Sequence, residues 1–209
     1  MSIIDSFITR QIDAQEQTLG VPLEYLRHIA ATSRSAFFKF AFLTPMAHHR
    51  TAVSVAAQAV AHILASRHAD CGTCLQISVN LAQKAGVPVT VIQAVLDDEP
   101  ADLTEALADV YAFVKNVLEE GGSDDELRER VHHRYGDEGM VDLAFAVATA
   151  QMYPTAAATT AMASRRRQVR LGRWGGGEGW SRGDWSGPLP DGRNPLVKLR
   201  RQCTCDKLN

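Results

Sequence analysis

Cys71 and Cys74 stand three residues apart in the stretch HADCGTCLQISVN, residues 68–80. A pair at this spacing can be a dithiol–disulfide centre, half of a metal site, or two small buried residues. If the pair opens a helix with Asp70 as its N-cap, residues 71, 74 and 78 fall on one face, because steps of three and four residues nearly close a turn. Cys71 and Cys74 then meet, Ser78 lies one turn below Cys74, and Gln76 and Asn80 form a separate polar line. A thiolate there faces unpaired amide N–H groups and the positive end of the helix dipole, and both lower its pKa. Gly72 and Thr73 leave the sulfurs room to react. A structural zinc site needs about four ligands. The nearest further donors are His68, Asp70 and the distant Cys203 and Cys205, and the chain has no second C-x-x-C. The spacing therefore favours a redox pair that uses no metal and no cofactor, with plain core packing as the competing explanation.

A reacting thiol needs a group to move its proton. Arg50, Ser54, Gln58, His62 and Ser66 recur at intervals of four in a segment otherwise rich in Ala, Val, Ile and Leu. This single polar stripe either faces the cysteines or forms the solvated edge of its helix. In the first case His62 is the candidate acid/base, since its reference pKa lies nearest neutrality. His68 reads as a surface residue on the connecting loop. The pairs His48-His49 and His132-His133 read as solvated surface, because neighbours on a helix point in different directions. Asp97-Asp98-Glu99 reads as a helix end and loop, and Tyr153-Pro154 as structural.

The elements that must position these residues are helices. Residues 3–164 are dominated by Ala, Leu, Glu, Gln and Arg, with little strand-like alternation. Gly20-Val21-Pro22 separates a first amphipathic segment from one spanning roughly Leu23–Leu43, and Pro45 is placed to open a third helix running to about Ser66. The C-x-x-C helix follows and ends near Gly86. Pro88 and Asp102 begin further helices, and Gly121-Gly122-Ser123-Asp124 is a stop followed by a new N-cap. A last long helix should run from about Asp137 to Ala163, kinked or broken by Pro154.

The net charge of −2 hides an asymmetry. Up to Ser164 there are 11 Lys+Arg against 20 Asp+Glu, and from Arg165 onward 11 against 4, so an acidic body of −9 carries a basic extension of +7. The extension mixes arginine, glycine and proline with all three tryptophans and has no period, which marks a poorly ordered segment. Residues 1–164 thus read as an all-α domain, and 165–209 as an irregular basic C-terminal extension. Arg165–Arg167, Arg170 and Arg173, interleaved with Trp174, Trp180 and Trp185, could contact nucleic acid through phosphates and base stacking, or cover an acidic surface of a neighbouring subunit. The N-terminal residues lack the apolar run of a signal peptide, and Thr51 to Ser66 is too short to cross a bilayer. A cytosolic protein without a disulfide framework is expected.

The stretch DCGTCLQISVNLAQKAGVP resembles the C-x-x-C region of the carboxymuconolactone decarboxylase and alkylhydroperoxidase D-like superfamily, where two cysteines open a helix that ends in a short A-G-V turn. RYGDEGMVDLAFAVATAQMYPT is similar to the closing helix of a branch of that family. The resemblance covers about residues 45–163, is most specific over 70–88, and stops before the extension. It implies a compact all-α fold assembled as trimers or hexamers, and a thiol-dependent peroxidase or disulfide reductase. Cys74 would attack the peroxide, Cys71 would close the disulfide, and an external dithiol would reduce it. The family's glutamate before the pair and histidine after it fall here on Ala59 and Ser78, and Gln58 beside the former cannot titrate. His62 is left as the stand-in. The alternatives are a decarboxylase- or isomerase-like enzyme acting on a small carboxylated ring, and a non-catalytic oligomeric module with a nucleic-acid-binding extension.

Overall fold

The computed structural model describes residues 3–160, and every regular element among them is helical. The Arg/Trp-rich extension, Cys203 and Cys205, and the junction expected at residue 164 lie outside the described residues. Helix α1 (Ile3–Leu19) ends at Gly20, whose φ of +71° suits glycine. Asn80 Nδ2 donates to the Leu19 carbonyl at 2.7 Å and ties this end to a later helix.

The segment 23–43 forms two helices, not the expected one: α2 (Glu24–Thr32) and α3 (Arg34–Ala41). Ser33 between them is extended, and its Oγ accepts from the Ala36 amide at 3.2 Å. A side chain able to cap a new helix breaks the run where apolar periodicity alone does not. Pro45 likewise does not open a long helix. It sits inside the short α4 (Leu43–Ala47), and a loop separates this from α5 (Val55–His68). Asp142 explains the loop: its fully buried carboxylate accepts from the amides of Thr51, Ala52 and Val53 at 2.7–3.1 Å, so these amides are turned away from helical pairing. Ser54 then caps α5, accepting from the Ala57 amide at 3.1 Å.

Helices α6 (Gly72–Lys84) and α7 (Val89–Asp97) follow. A 3-10 turn at Pro100–Asp102 precedes α8 (Glu105–Glu120), so Asp102 does not itself start a helix. Asp97 ends α7 and Asp98 follows it with a left-handed φ of 62°, so the acidic run is a helix end, as expected. Helix α9 (Asp125–Thr159) is capped by Asp124, as expected, and consists of two helical segments that meet at a kink, the second beginning at the expected Asp137. Its interruption falls at Gly136 (φ 64°, ψ −173°), a conformation that excludes side chains, and the backbone stays helical through the buried Pro154. A proline removes one helical hydrogen bond, and here tight packing holds the turn together around the loss.

Helix α5 is apolar on most sides and forms the centre of the molecule. Ala57, Val60, Ala61 and Ala65 are fully buried, and α6, α7, α8 and α9 pack around them. A second apolar cluster joins Ile8 and Ile12 of α1, Tyr25 and Leu26 of α2 and Phe37 of α3 to Ala157 of α9. Ile77 of α6 and Tyr153 of α9 pack against it, so the N-terminal helices lie over the α6–α9 side of the bundle. Among the described residues no helix is long and apolar enough to cross a membrane.

Candidate functional site

The chain leaves α5 at His68 and turns through Asp70, which has a left-handed φ of 52°. That conformation takes Asp70 out of the capping position, and Cys71 caps α6 in its place. The Cys71 Sγ accepts from the Cys74 amide at 3.3 Å, and the Cys71 carbonyl accepts the first helical bond, from Leu75, at 2.9 Å. Cys71 and Cys74 are joined as a disulfide with their Cα atoms 5.3 Å apart, and both residues are buried. The helix start expected from the spacing is present, shifted by one residue. That shift puts a sulfur among the free N–H groups of the first turn.

The polar stripe before the pair is exposed at Arg50 and Ser54 and turns inward from Gln58 onward. Arg50 stays exposed in the loop, where it donates to the Val53 carbonyl at 3.2 Å. Ser54 is a cap, and Gln58 Nε2 donates to the His49 carbonyl at 2.9 Å. Ser66 and Ser78 are both buried, and their hydroxyls are bonded to each other at 2.9 Å, linking α5 to α6. The position that would hold a histidine in the resembled family thus carries half of a serine pair. Ala59 is buried and offers no chemistry.

His62 lies one turn before Ser66. Its Nε2 is sealed from solvent and has no hydrogen-bond partner among the described residues, while the ring as a whole keeps a partial surface. Burial, aided by the nearby His48, lowers its pKa to about 4, so the imidazole is neutral over the physiological range.

That partial surface lines a cavity of about 230 Å³ between the N-terminal helices and the α5–α6–α9 side of the bundle. Cys74, Ser66 and Ser78 share the lining with His62, whereas Cys71 is not part of it. The far wall is aromatic: Phe40 meets Tyr25 edge-on at 6.1 Å between centroids and Tyr153 at 5.6 Å, with Phe37 beside them. Burial raises the pKa of Tyr25, with Tyr153 adding to the effect, and burial also raises Tyr153 against the opposing influence of Thr44. Both phenols are therefore neutral. Thr18, Ala41 and His48 are exposed members of the lining and mark its rim.

The aromatic wall is not among the residues that spacing and motif single out, and Tyr153, read as structural, packs against Phe40 and lines the cavity. A signal was present: four of the seven phenylalanines fall between residues 37 and 42. The remaining histidines stand apart from the site, apart from His48 on the rim. His68 is exposed as expected, but it ends α5 rather than lying on a loop. His132 pairs with Asp137 at 2.8 Å on the exposed side of α9, and His49 Nε2 stands 3.6 Å from the Asp142 carboxylate. Among the described residues no three His, Cys, Asp or Glu side chains are grouped so as to hold a metal ion. No family model, curated protein or solved structure matches this chain.

Proposed function

We propose that this protein is a thiol oxidoreductase that reduces a peroxide or exchanges a disulfide at the Cys71/Cys74 pair, in the manner of the alkylhydroperoxidase D-like proteins it resembles. One observation carries the reading. A disulfide stands at a helix N-terminus, and Cys74, one of its two residues, lines a cavity shared with His62, whose Nε2 is sealed and has no hydrogen-bond partner among the described residues.

In the dithiol form the Cys74 thiolate attacks the peroxide. The S–O bond forms, the O–O bond breaks, the alcohol leaves with a proton, and Cys74 becomes a sulfenic acid. Cys71 then attacks that sulfur, closing the disulfide and releasing water. An external dithiol restores both thiols by exchange and is itself oxidised to a disulfide. When that dithiol attacks Cys74, the departing Cys71 thiolate is stabilised by the Cys74 amide and the helix N-terminus. His62 is the group that moves the proton. Its low pKa belongs to the disulfide form, and a Cys74 thiolate formed on the same cavity wall would raise that pKa and so strengthen it as a base. The reading goes with a reducing cytosol, an external dithiol as partner, and a trimeric or hexameric assembly. Against the decarboxylase alternative, no lysine or arginine lines the cavity among the described residues, so a carboxylated ring would find no counter-charge.

The test is peroxide consumption by the reduced full-length protein with dithiothreitol as reductant, alongside ultraviolet titration of the thiols. Cys74→Ser is expected to abolish turnover. Cys71→Ser should leave one turnover and a sulfenic acid on Cys74 that dimedone traps. One thiol should ionise below the reference of about 8.5. Two unshifted thiols together with no peroxide or disulfide turnover would reduce the pair to core packing.

A further inference from the structure

The cavity restricts what can occupy it, apart from any chemistry of the thiols. Its volume of about 230 Å³ exceeds the roughly 150 Å³ of an apolar cavity that takes up benzene, so a substituted ring or a short chain fits. Its lining among the described residues carries no Asp, Glu, Lys or Arg, and its phenols and imidazole are neutral. A charged ligand would leave water without a partner charge, which disfavours it. The aromatic wall of Phe37, Phe40 and Tyr153 offers ring edges and faces to an apolar body. Beside Cys74, Ser66 and Ser78 already satisfy each other and Thr149 donates to the Phe145 carbonyl, whereas His62 Nε2 has no hydrogen-bond partner among the described residues. A half-turn of the imidazole about its Cβ–Cγ bond exchanges Nε2 with Cε1 and Nδ1 with Cδ2, so the ring can present a nitrogen to a ligand head at alternative positions without moving α5.

We infer that this cavity binds a small uncharged molecule, an apolar ring or short chain bearing one hydroxyl-type head, with the head at His62 and the body against Phe37, Phe40 and Tyr153. The site lies beside Cys74, yet binding needs no reduced thiol, so the inference stands or falls separately from the proposed turnover.

The test uses the full-length protein in its disulfide form at neutral pH, with three unreactive probes of one shape: 4-propylphenol, propylbenzene and 4-propylbenzoate. Calorimetry is expected to show 4-propylphenol binding roughly three- to tenfold tighter than propylbenzene, the usual worth of one hydrogen bond. The benzoate should bind at least about tenfold more weakly than the phenol. His62→Leu should remove the preference for the phenol and leave propylbenzene binding in place. Nuclear Overhauser contacts from the bound phenol should reach the rings of Phe37, Phe40 and Tyr153. Equal or tighter binding of the benzoate, no binding of the phenol, or contacts to other side chains would overturn the assignment. A Cys71→Ser/Cys74→Ser double variant that still binds the phenol supports a binding site independent of turnover. Peroxide turnover in a protein that does not bind the phenol overturns this inference and leaves the thiol reading intact.

Discussion

His62 is neutral in the folded protein because burial removes the water that an imidazolium needs, and the nearby His48 adds to the effect. Of the other titratable groups on the cavity lining, Tyr25 and Tyr153 are neutral phenols and His48 is itself a base, so none gives a proton on His62 a countercharge. In the unfolded chain the same side chain titrates near 6.5, against about 4 in the folded one. Between these pH values the unfolded state binds the extra proton, so stability is fully present above the unfolded pKa and falls as pH is lowered towards the folded one. The complete effect is on the order of 3 kcal/mol. Urea unfolding of the oxidised full-length protein is expected to show this decline between neutral pH and about 4.5, and His62→Leu should flatten it. The carbon shifts of the His62 ring should still report a neutral imidazole at pH 5, and a midpoint near the reference value would mean that the ring is hydrated. The cysteine pair and His62 were legible in the sequence because nucleophilic and titratable residues stand out when they recur at helical spacing. Tyr25, Phe37 and Phe40 were not, since aromatic residues fill cores as readily as they line sites, and no local rule lays α2 and α3 over α6.

At the scale of elements, Asp142 does what no local propensity records. It is a lone acid in the apolar run GMVDLAFAVATA of α9, and its carboxylate holds the loop that lets α4 end and α5 begin. Burial pushes its pKa up, but the amides of Ala52, Val53 and Thr51 and the Thr51 hydroxyl outweigh this, and the net shift is downward. Its contribution to stability is therefore present above the unfolded value of about 3.9 and is lost as pH falls through the folded value, below the window in which His62 acts. Asp142→Asn should cost about 2–4 kcal/mol, because three amides keep at most a weaker, neutral acceptor. Urea unfolding at pH 7 measures the loss, and amide exchange at Thr51, Ala52 and Val53 should accelerate in the variant beyond the general decrease. This loop also shows why the expected helix from Pro45 to Ser66 fails: the partner that breaks it lies about ninety residues away, where no sequence window reaches. Signals carried by the local chain fared better. The Gly121–Asp124 stop and cap, the start of the C-x-x-C helix to within one residue, and the break just before Asp137 all rest on a single residue's own backbone or capping preference.

The described body presents apolar side chains that its own core does not use. Phe42 is 72% exposed and Phe38, four residues earlier, is 44% exposed, while Val141 and Met152 stand out from α9. Single exposed apolar residues are ordinary on a monomer, but two phenylalanines one helical turn apart are a costly surface to leave in water. Burying each in a contact between copies is worth about 2 kcal/mol before ordering costs, which would favour self-association such as the proposed trimer or hexamer. The charge asymmetry supplies a rival cause of assembly, since a basic extension of +7 could bridge to the −9 body of a neighbouring copy. Salt separates the two. Raising ionic strength from about 0.1 to 1 M shortens the Debye length from about 10 to 3 Å, which dissolves charge bridging and leaves apolar contacts unchanged or stronger. Sedimentation velocity of the full-length protein is expected to show a species three or six times the 22.8 kDa chain at both salt levels. Phe42→Ser should shift it towards the monomer by roughly tenfold or more in dissociation constant. A monomer at both salt levels would remove the assembly from the functional reading, and an oligomer that survives only at low salt would transfer its cause from the apolar face to the charged extension.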